Sequence, residues 1–437
     1  MQKVASIINS AKRFAKDAAF PGILLVSTAI VALIWANSSS GNFYFELWEK
    51  KITIGFGEAV ISKSLLHWIN DGLMALFFFS IGLEIKREIM AGELSTWKKA
   101  AMPVYGALGG MIVPALIFML FNHGKPSADG WGIPMATDIA FSLGILALLG
   151  KRVPLSLKIF LTAFAIVDDL GAVLVIAFFY SSKIILSNVA IGALFLLMMI
   201  LMNRAGVRSM LAYAIPGILG IWLAFLLSGV HATIAGVLAA FVIPASTKIN
   251  KPDFKQTLLD LANGIKLFKK KNTPFLTKEE QLAVTNIKET IKQYEPPLQS
   301  LEKSLHTWVI YLIMPIFALS NTGVLLGGNA GTVITSPVGI GITAGLVFGK
   351  PVGLLLFSWV AYKMGGASLP ENVKWVHILG VALLGGIGFT MALFISSLAF
   401  KDTALISSAK ISILFASVIA GLAGYFLLRK TLTEKPE

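Results

Sequence analysis

Long apolar stretches recur along almost the whole chain, and they constrain its fold more than any other feature of the sequence. An α-helix needs roughly 20 largely apolar residues to cross the hydrocarbon core of a bilayer, and about twelve segments meet that requirement. We number them as spans one to twelve: 20–36, 64–85, 101–121, 131–150, 154–180, 184–203, 209–226, 229–244, 306–326, 335–363, 375–400 and 404–429. The sequence therefore predicts an all-α polytopic membrane protein.

The composition supports this reading, since 56% of the 437 residues are hydrophobic and only 14% are charged. A soluble protein of this size needs more charge on its surface, which excludes a soluble enzyme or a disordered scaffold. The chain has no cysteine, which excludes a disulfide-stapled secreted domain.

The formal net charge of +14 reflects orientation rather than nucleic-acid binding. When the N-terminus is placed in the cytoplasm, most Lys and Arg residues fall in cytoplasmic segments. Since such segments carry an excess of these residues in membrane proteins, we expect both termini in the cytoplasm and no nucleic-acid partner. The long basic leader from Lys3 to Lys16 favours an uncleaved first helix over a cleaved signal peptide.

Two segments are expected outside the bilayer. Residues 41–62 alternate aromatic and β-branched residues with polar ones, which predicts an external β-hairpin that could join two protomers; a loose loop is the alternative. Residues 248–298 are rich in Lys, Glu and Gln, which predicts a solvated cytoplasmic connection with some helix.

A few ionisable residues lie at membrane depth, where each charge costs roughly 2.5–3.5 kcal/mol on insertion scales. They are Asp71, Asp138, the adjacent pair Asp168 and Asp169, and Lys350. A structural role alone rarely justifies such a cost, so these residues are candidates for an ion pathway.

The adjacent aspartates, Asp168 and Asp169, are the most informative of these residues. Neighbours on a helix point about 100° apart, so one carboxylate can line a water-filled funnel while the other faces a partner such as Lys350. Two carboxylates this close cannot both ionise cheaply, so protons should bind them near physiological pH. A hard monovalent cation can replace those protons, which amounts to an exchange mechanism. The alternative is a buried Asp–Lys pair that only fixes helix packing.

Two spans carry residues that interrupt a transmembrane helix. Gly132 and Pro134 precede Asp138 in span four, and GGIGFT at 385–390 occupies a comparable place in span eleven. Interrupted helices bring partial charges into the bilayer, and Asp138 and Lys350 are suitable to offset them. Two broken helices in corresponding positions point to a binding site.

The pattern also predicts the organisation of the chain, taken as one transporter domain over 1–437. Spans three to five and ten to twelve, within 101–180 and 335–429, would be two copies of inverted topology that form a core. Helices within 20–85 and 184–326 would form the interface part.

Other charged or titratable residues allow two interpretations each. Asp71 faces an external vestibule or pairs with Asn70. The cluster in GLEIKREIMAGEL either senses pH or anchors span two at the membrane surface. His231 either senses pH or forms a helix–helix hydrogen bond. The residues of the cluster are Glu84, Lys86, Arg87 and Glu88.

Motifs for other chemistry are missing from the sequence. GLVFGKP has the wrong spacing for a phosphate-binding loop, and there is no HExxH, nucleophile elbow or cysteine ligand set. We therefore expect a gradient-driven transporter rather than an enzyme, with no cofactor. The main hypothesis is a proton-driven sodium exporter that works by alternating access. The alternative is a sodium-coupled symporter of an organic anion.

These same residues resemble the NhaA-type sodium/proton antiporters along nearly the whole chain. The matching motifs are NDGLMALFFFSIGLEIKRE (70–88), GGMIVPAL (109–116), ATDIAFSLGILALLGKRVPLSLKIFL (136–161), AIVDDLGAV (165–173), SGVHATIAG (228–236), GKPVG (349–353) and GIGFTMALFISSLAF (386–400). The clearest departure is the connection at 248–298, which is longer than is usual in that family.

The resemblance implies an electrogenic, pH-regulated exchange of one sodium or lithium ion outward for a larger number of protons inward, across a bacterial inner membrane. It also implies crossed, interrupted spans four and eleven and a dimer joined through 41–62. By matching position, Asp168 and Asp169 would bind sodium and protons, Thr137 and Asp138 would complete the site, and Lys350 would balance it. The pH-sensing group would be Glu84, Lys86, Arg87 and Glu88, joined by Glu302.

Overall fold

The structure is a computed structural model that describes residues 19–56, 59–181, 184–266, 275–327 and 330–432. Among these residues, eight helices are long and apolar enough to cross a membrane, and two bent helix pairs and two shorter apolar helices occupy the other predicted positions. In chain order the spans are Phe20–Ala36, Leu65–Ala91, Trp97–Asn122, Ala128–Leu148, Leu155–Phe179, Leu186–Arg204, Met210–Leu226, Ala232–Val242, Pro297–Asn321, Pro337–Lys363, Trp375–Gly385 with Phe389–Ala399, and Thr403–Thr431. The prediction of an all-α polytopic membrane protein is confirmed, and the leader from Lys3 to Lys16 lies outside the described residues.

Prolines widen two of these spans locally. The π-helical turns Val309–Ile313 and Gly345–Gly349 each end two residues before a proline. Proline lacks an N–H and its ring collides with the carbonyl four residues earlier, so a wider turn relieves the clash. The second of these turns immediately precedes Lys350, near the middle of span ten.

Spans four and eleven are both interrupted, as the sequence predicts. Span four consists of a 3-10 helix, Ala128–Met135, a non-helical stretch at 136–138 and an α-helix, Ile139–Leu148. Span eleven bends by 46° between its two halves. The N–H of Asp138 donates to the carbonyl of Ile387 at 2.7 Å, so the spans cross at their breaks.

Spans three and ten pack backbone to backbone through two glycines. A Cβ added to Gly109 would collide with the carbonyl of Gly353, and a Cβ added to Gly353 would collide with the carbonyl of Gly109. A reciprocal contact of this kind is expected where two copies meet on a two-fold axis. The division into core and interface helices stays a prediction.

The segment after span one is only partly a hairpin, so the prediction for 41–62 is wrong in its first part. Gly41–Glu49 is a helix, and its axis is bent by 110° from that of span one. Tyr44 and Trp48 lie one helical turn apart and are both buried, which favours a helix over a strand in this segment. The Tyr44 hydroxyl donates to the carbonyl of Leu319 at 2.6 Å. The hairpin follows, with strands β1 (Lys51–Phe56) and β2 (Ala59–Ser64) antiparallel and Lys51 opposite Ser64.

The connection at 248–298 contains two helices, Lys251–Lys266 and Lys278–Tyr294. The rings of Phe254 and Tyr294 stack 4.0 Å apart and hold the helices together. The second helix begins with a capping box formed by Thr277 and Glu280. The expectation of a connection with some helix is confirmed; its cytoplasmic location stays a prediction.

Candidate functional site

Asp138 lies at the crossing of spans four and eleven and caps a half-helix of each. Its Oδ1 accepts the N–H of Phe141 at 3.0 Å, and its Oδ2 accepts the N–H of Thr390 at 3.1 Å and the Thr390 hydroxyl. The half-helices that begin at Ile139 and Phe389 both present partial positive charge here. One buried carboxylate therefore offsets two helix N-termini.

Lys350 approaches the same crossing from span ten and is completely buried. Its Nζ donates to the carbonyl of Met135, the last residue of the 3-10 half of span four. It also donates to Asp168 Oδ2 at 2.8 Å. The ammonium therefore offsets both a helix C-terminus and a carboxylate, as the sequence suggested.

Hydroxyl groups donate to two further carbonyls at the crossing. Thr137 donates to the carbonyl of Gly385 at 2.8 Å, and Ser142 donates to the carbonyl of Leu384 at 2.8 Å. Both carbonyls belong to the end of the first half of span eleven. Thr137 thus ties the two interrupted spans together, next to Asp138.

Asp168 and Asp169 lie on span five, each with 1% of its surface exposed. In the described part of the chain, the Oδ1 atom of each aspartate is buried and has no hydrogen-bond partner. An ionised carboxylate only accepts, and each of its oxygens can take a proton or coordinate a cation. The arrangement therefore offers carboxylate oxygen atoms to a small hard cation or to protons.

A second charged cluster surrounds Arg87 near the end of span two. The Arg87 Nε donates to the two carboxylate oxygens of Glu302 at 2.9 and 3.0 Å. The guanidinium also lies 2.7 Å from Glu88 Oε1 and 3.9 Å from Glu84 Oε1. The structure thus brings together four of the residues assigned to pH sensing, from spans two and nine.

Comparison with known proteins agrees with this architecture. The family model described as Na+/H+ antiporter 1 matches residues 12–428. The chain belongs to this family. It is 47% identical to the "Na(+)/H(+) antiporter NhaA" of Oleidesulfovibrio alaskensis, with 100% of this chain and 97% of that protein covered. It is 45% identical to the "Na(+)/H(+) antiporter NhaA 2" of Syntrophotalea carbinolica, with 99% of each chain covered.

A third relative, the "Na(+)/H(+) antiporter NhaA" of Wolinella succinogenes, is 47% identical over 95% of this chain and 92% of its own length. The resemblance read from the sequence motifs is thereby confirmed. This member of the Na+/H+ antiporter 1 family is a multi-pass bacterial membrane protein of a transporter family. The alternative of an organic-anion symporter gains no support from the relatives.

Lys86 does not join the Arg87 cluster of this antiporter family member. Its Nζ donates to the carbonyls of Phe241 and Ile243 at 2.7 and 2.6 Å. These carbonyls lie at the C-terminal end of span eight, where a cation offsets the helix dipole. The geometry favours a capping role for Lys86 over a shared role with Arg87.

His231 also lies apart from the Arg87 cluster, at the opposite end of span eight. Its Nδ1 accepts the N–H of Thr233 at 3.4 Å and lies 2.8 Å from the Thr233 hydroxyl, and so caps the start of the span. Its Nε2 is 3.9 Å from Asp71 Oδ1, and Lys63 of strand β2 pairs with Asp71 Oδ2 at 3.4 Å. Asp71 therefore pairs with the hairpin, while the side-chain oxygen of Asn70 accepts from the amide of Asn321 at 3.0 Å.

The sequence reasoning did not assign Thr390 or Ser142 to the site. Thr390 is the second residue after the GGIG break, in the first turn of the second half of span eleven, so its N–H has no partner within the helix. A polar residue in the first turn after a helix break is a sequence signal that could have marked Thr390 as part of the site. Ser142 gave no local signal, because its partner, Leu384, lies 242 residues away in sequence.

Proposed function

We propose that this chain exports sodium or lithium in exchange for external protons, and that Asp168 and Asp169 carry both kinds of ion. The observation that carries the proposal is the pair of buried, unpartnered carboxylate oxygens found among the described residues. Carboxylate oxygens suit a hard cation, and two of them side by side favour either a cation or protons over two free negative charges. Family membership supports the same exchange.

Lys350 acts in this proposal as a competitor of sodium. Its ammonium holds Asp168 Oδ2 at 2.8 Å, so a sodium ion that takes this oxygen must displace the ammonium. In the absence of protons, sodium and the ammonium therefore alternate on Asp168, and in the proton-carrying state Asp168 and Asp169 each hold one proton. Thr137 and Asp138 complete the site by holding the two broken helices in place.

The proposed cycle works by alternating access and moves net charge. Sodium entering from the cytoplasm displaces protons from the carboxylates, the core helices then rock against the interface helices, and external protons displace sodium. Two carboxylates hold two protons but share one sodium ion. More than one proton therefore enters for each sodium ion that leaves, which makes the exchange electrogenic.

Three further proposals concern regulation and assembly. Arg87, Glu84, Glu88 and Glu302 would adjust activity to pH, supported by their position in one ion-paired group from two spans. A homodimer would form through β1 and β2, supported by a two-stranded sheet with no third strand in the described residues. The protein would lie in the inner membrane with both termini in the cytoplasm, supported by the placement of Lys and Arg.

Reconstitution into acid-loaded vesicles tests the proposed exchange. Sodium or lithium added outside should collapse the pH gradient without any other solute, and potassium at equal concentration should not. A voltage-sensitive dye in the same vesicles should report charge movement. A gradient that collapses only when an organic anion is added would contradict antiport.

A further inference from the structure

Phe164 lies beside Lys350 and one helical turn before Asp168 on span five. Its ring is completely buried, and its centroid is 6.0 Å from Lys350 Nζ. Residues four apart share one face of a helix, so Phe164 and Asp168 face the ammonium together. An aromatic face within about 6 Å attracts a cation, and it does so more strongly where water is excluded.

Two glycines make room for this ring. A Cβ on Gly110 would lie 3.5 Å from the Phe164 ring and 3.7 Å from Lys350 Cε. A Cβ on Gly385 would lie 3.1 Å from the ring, closer than side chains normally pack. The ring therefore fills the space between the lysine stem and the crossing of the interrupted spans. Gly385 of span eleven is the tighter of the two neighbours, so a larger residue there would press on the ring.

We propose that Phe164 is a positioning residue that stabilises the Lys350 ammonium when sodium holds Asp168. This inference rests on the proposed function, because it assumes that sodium displaces the ammonium. Once Asp168 Oδ2 is occupied by sodium, the contacts left to the ammonium are the carbonyl of Met135 and the face of Phe164. The carboxylate neutralises much of the ammonium's charge in the paired state, so the attraction to the ring is stronger once sodium has taken Asp168. Without the ring, the displaced ammonium is less stable and competes harder for Asp168.

The consequence is a change in sodium affinity rather than in the rate at saturation. A desolvated cation–aromatic contact is strong enough to alter an equilibrium by about two- to tenfold. Replacing Phe164 with an aliphatic side chain should therefore raise the sodium KM by several-fold. The maximal rate should change less, because no group that binds sodium is removed.

The test compares Phe164→Leu and the more volume-conserving Phe164→Met with wild type in reconstituted vesicles. Phe118→Leu is the matched control, because Phe118 is equally buried in span three but packs on Gly130 and Gly341. Sodium affinity is also measured by titration calorimetry on the purified proteins. We expect both Phe164 variants to raise the sodium KM and Kd by about two- to tenfold, and Phe118→Leu to leave both unchanged.

A double-mutant cycle separates this role from simple packing. In a Lys350→Ala background, Phe164→Leu should no longer change the sodium Kd, because the cation that the ring stabilises is absent. An equal loss of affinity with and without Lys350, or an unchanged Kd in both Phe164 variants, would overturn the inference while exchange by wild type still supports the proposed function. Absence of exchange in wild type would overturn both.

Discussion

The crossing of spans four and eleven and the Arg87 cluster both gather carboxylates around one cation, but they do so in different surroundings. Lys350 is completely buried, whereas the side chain of Arg87 is 35% exposed. Arg87 contacts three carboxylates, one of them through both oxygens. Lys350 contacts one carboxylate and one carbonyl, and the neighbouring aspartates keep unpartnered oxygens in the described part of the chain.

This difference in burial separates a site that can exchange sodium for protons from a cluster that can only change its protonation with pH. A buried group with an unsatisfied oxygen gains much from a bound cation, because desolvation has already removed its water. A partly exposed cluster whose carboxylates already pair with a guanidinium gains less, since solvent screens it and the guanidinium already offsets its negative charge. The following predictions test the contrast, in order of decreasing effect on transport.

Removal of one charge at the buried site should have the largest effect. Asp169→Asn should abolish sodium-dependent collapse of the pH gradient, because an amide neither releases a proton nor supplies the negative charge that binds sodium. Asp260→Asn on the exposed connecting helix is the matched control and should exchange normally. Normal sodium efflux by the Asp169 variant would refute the role assigned to the carboxylates.

Asp138→Ala should lower stability and exchange together. It removes the cap from two half-helices, and each lost cap costs about 0.5–2 kcal/mol. Asp402→Ala is the control, since Asp402 caps only span twelve through the N–H of Ala404 and is exposed. Thermal unfolding in detergent should show a clearly larger decrease in Tm for Asp138→Ala, and equal decreases would argue against a double cap.

Lys350→Ala should keep exchange and its net charge movement but lower the sodium KM. Without the ammonium, Asp168 has no internal competitor for sodium, while the two carboxylates still exchange their protons for one sodium ion. Sodium-driven collapse of the pH gradient should need less sodium than in wild type, and the voltage-sensitive dye should still report charge movement. An unchanged or raised sodium KM would exclude the competitor role. Lys363→Ala at the end of the same span should behave as wild type.

Arg87→Ala should move the pH profile and leave the maximal rate within about twofold, because the Arg87 side chain is partly open to solvent and solvent-screened ion pairs contribute only about 0.2–1 kcal/mol. Energies of that size displace a titration by less than about one pH unit. The control is Lys99→Ala, which removes another exposed pair, with Glu93. Loss of exchange at every pH would instead place Arg87 in the ion pathway.

Lys86→Met should have the smallest effect on transport. The variant removes a cap from the end of span eight and should lower the free energy of unfolding by about 1 kcal/mol. Its pH profile should match that of wild type, because the Nζ contacts carbonyls rather than the carboxylates of the Arg87 cluster. A displacement as large as that of Arg87→Ala would return Lys86 to the pH-sensing group.

The positions of the spans and of their interruptions could be read from the sequence because both are local properties. A bilayer requires a certain length of apolar residues, and glycine and proline break a helix wherever they occur. The cost of burying a charge likewise identified four residues, one by one, as candidates for the ion pathway: Asp138, Asp168, Asp169 and Lys350. At Gly41–Glu49 the alternation of residues predicts a strand, whereas the four-residue spacing of Tyr44 and Trp48 favours the helix that forms.

Partners were decided only by the tertiary structure, because they lie far apart in the chain. Asp138 meets Thr390 across 252 residues, and Lys350 meets Asp168 across 182. Lys86 and Arg87 are adjacent in sequence but point about 100° apart on the helix, so one caps span eight and the other pairs with Glu302. The sequence thus determined which residues are costly to bury, and packing decided which of them are satisfied and which remain open to an ion.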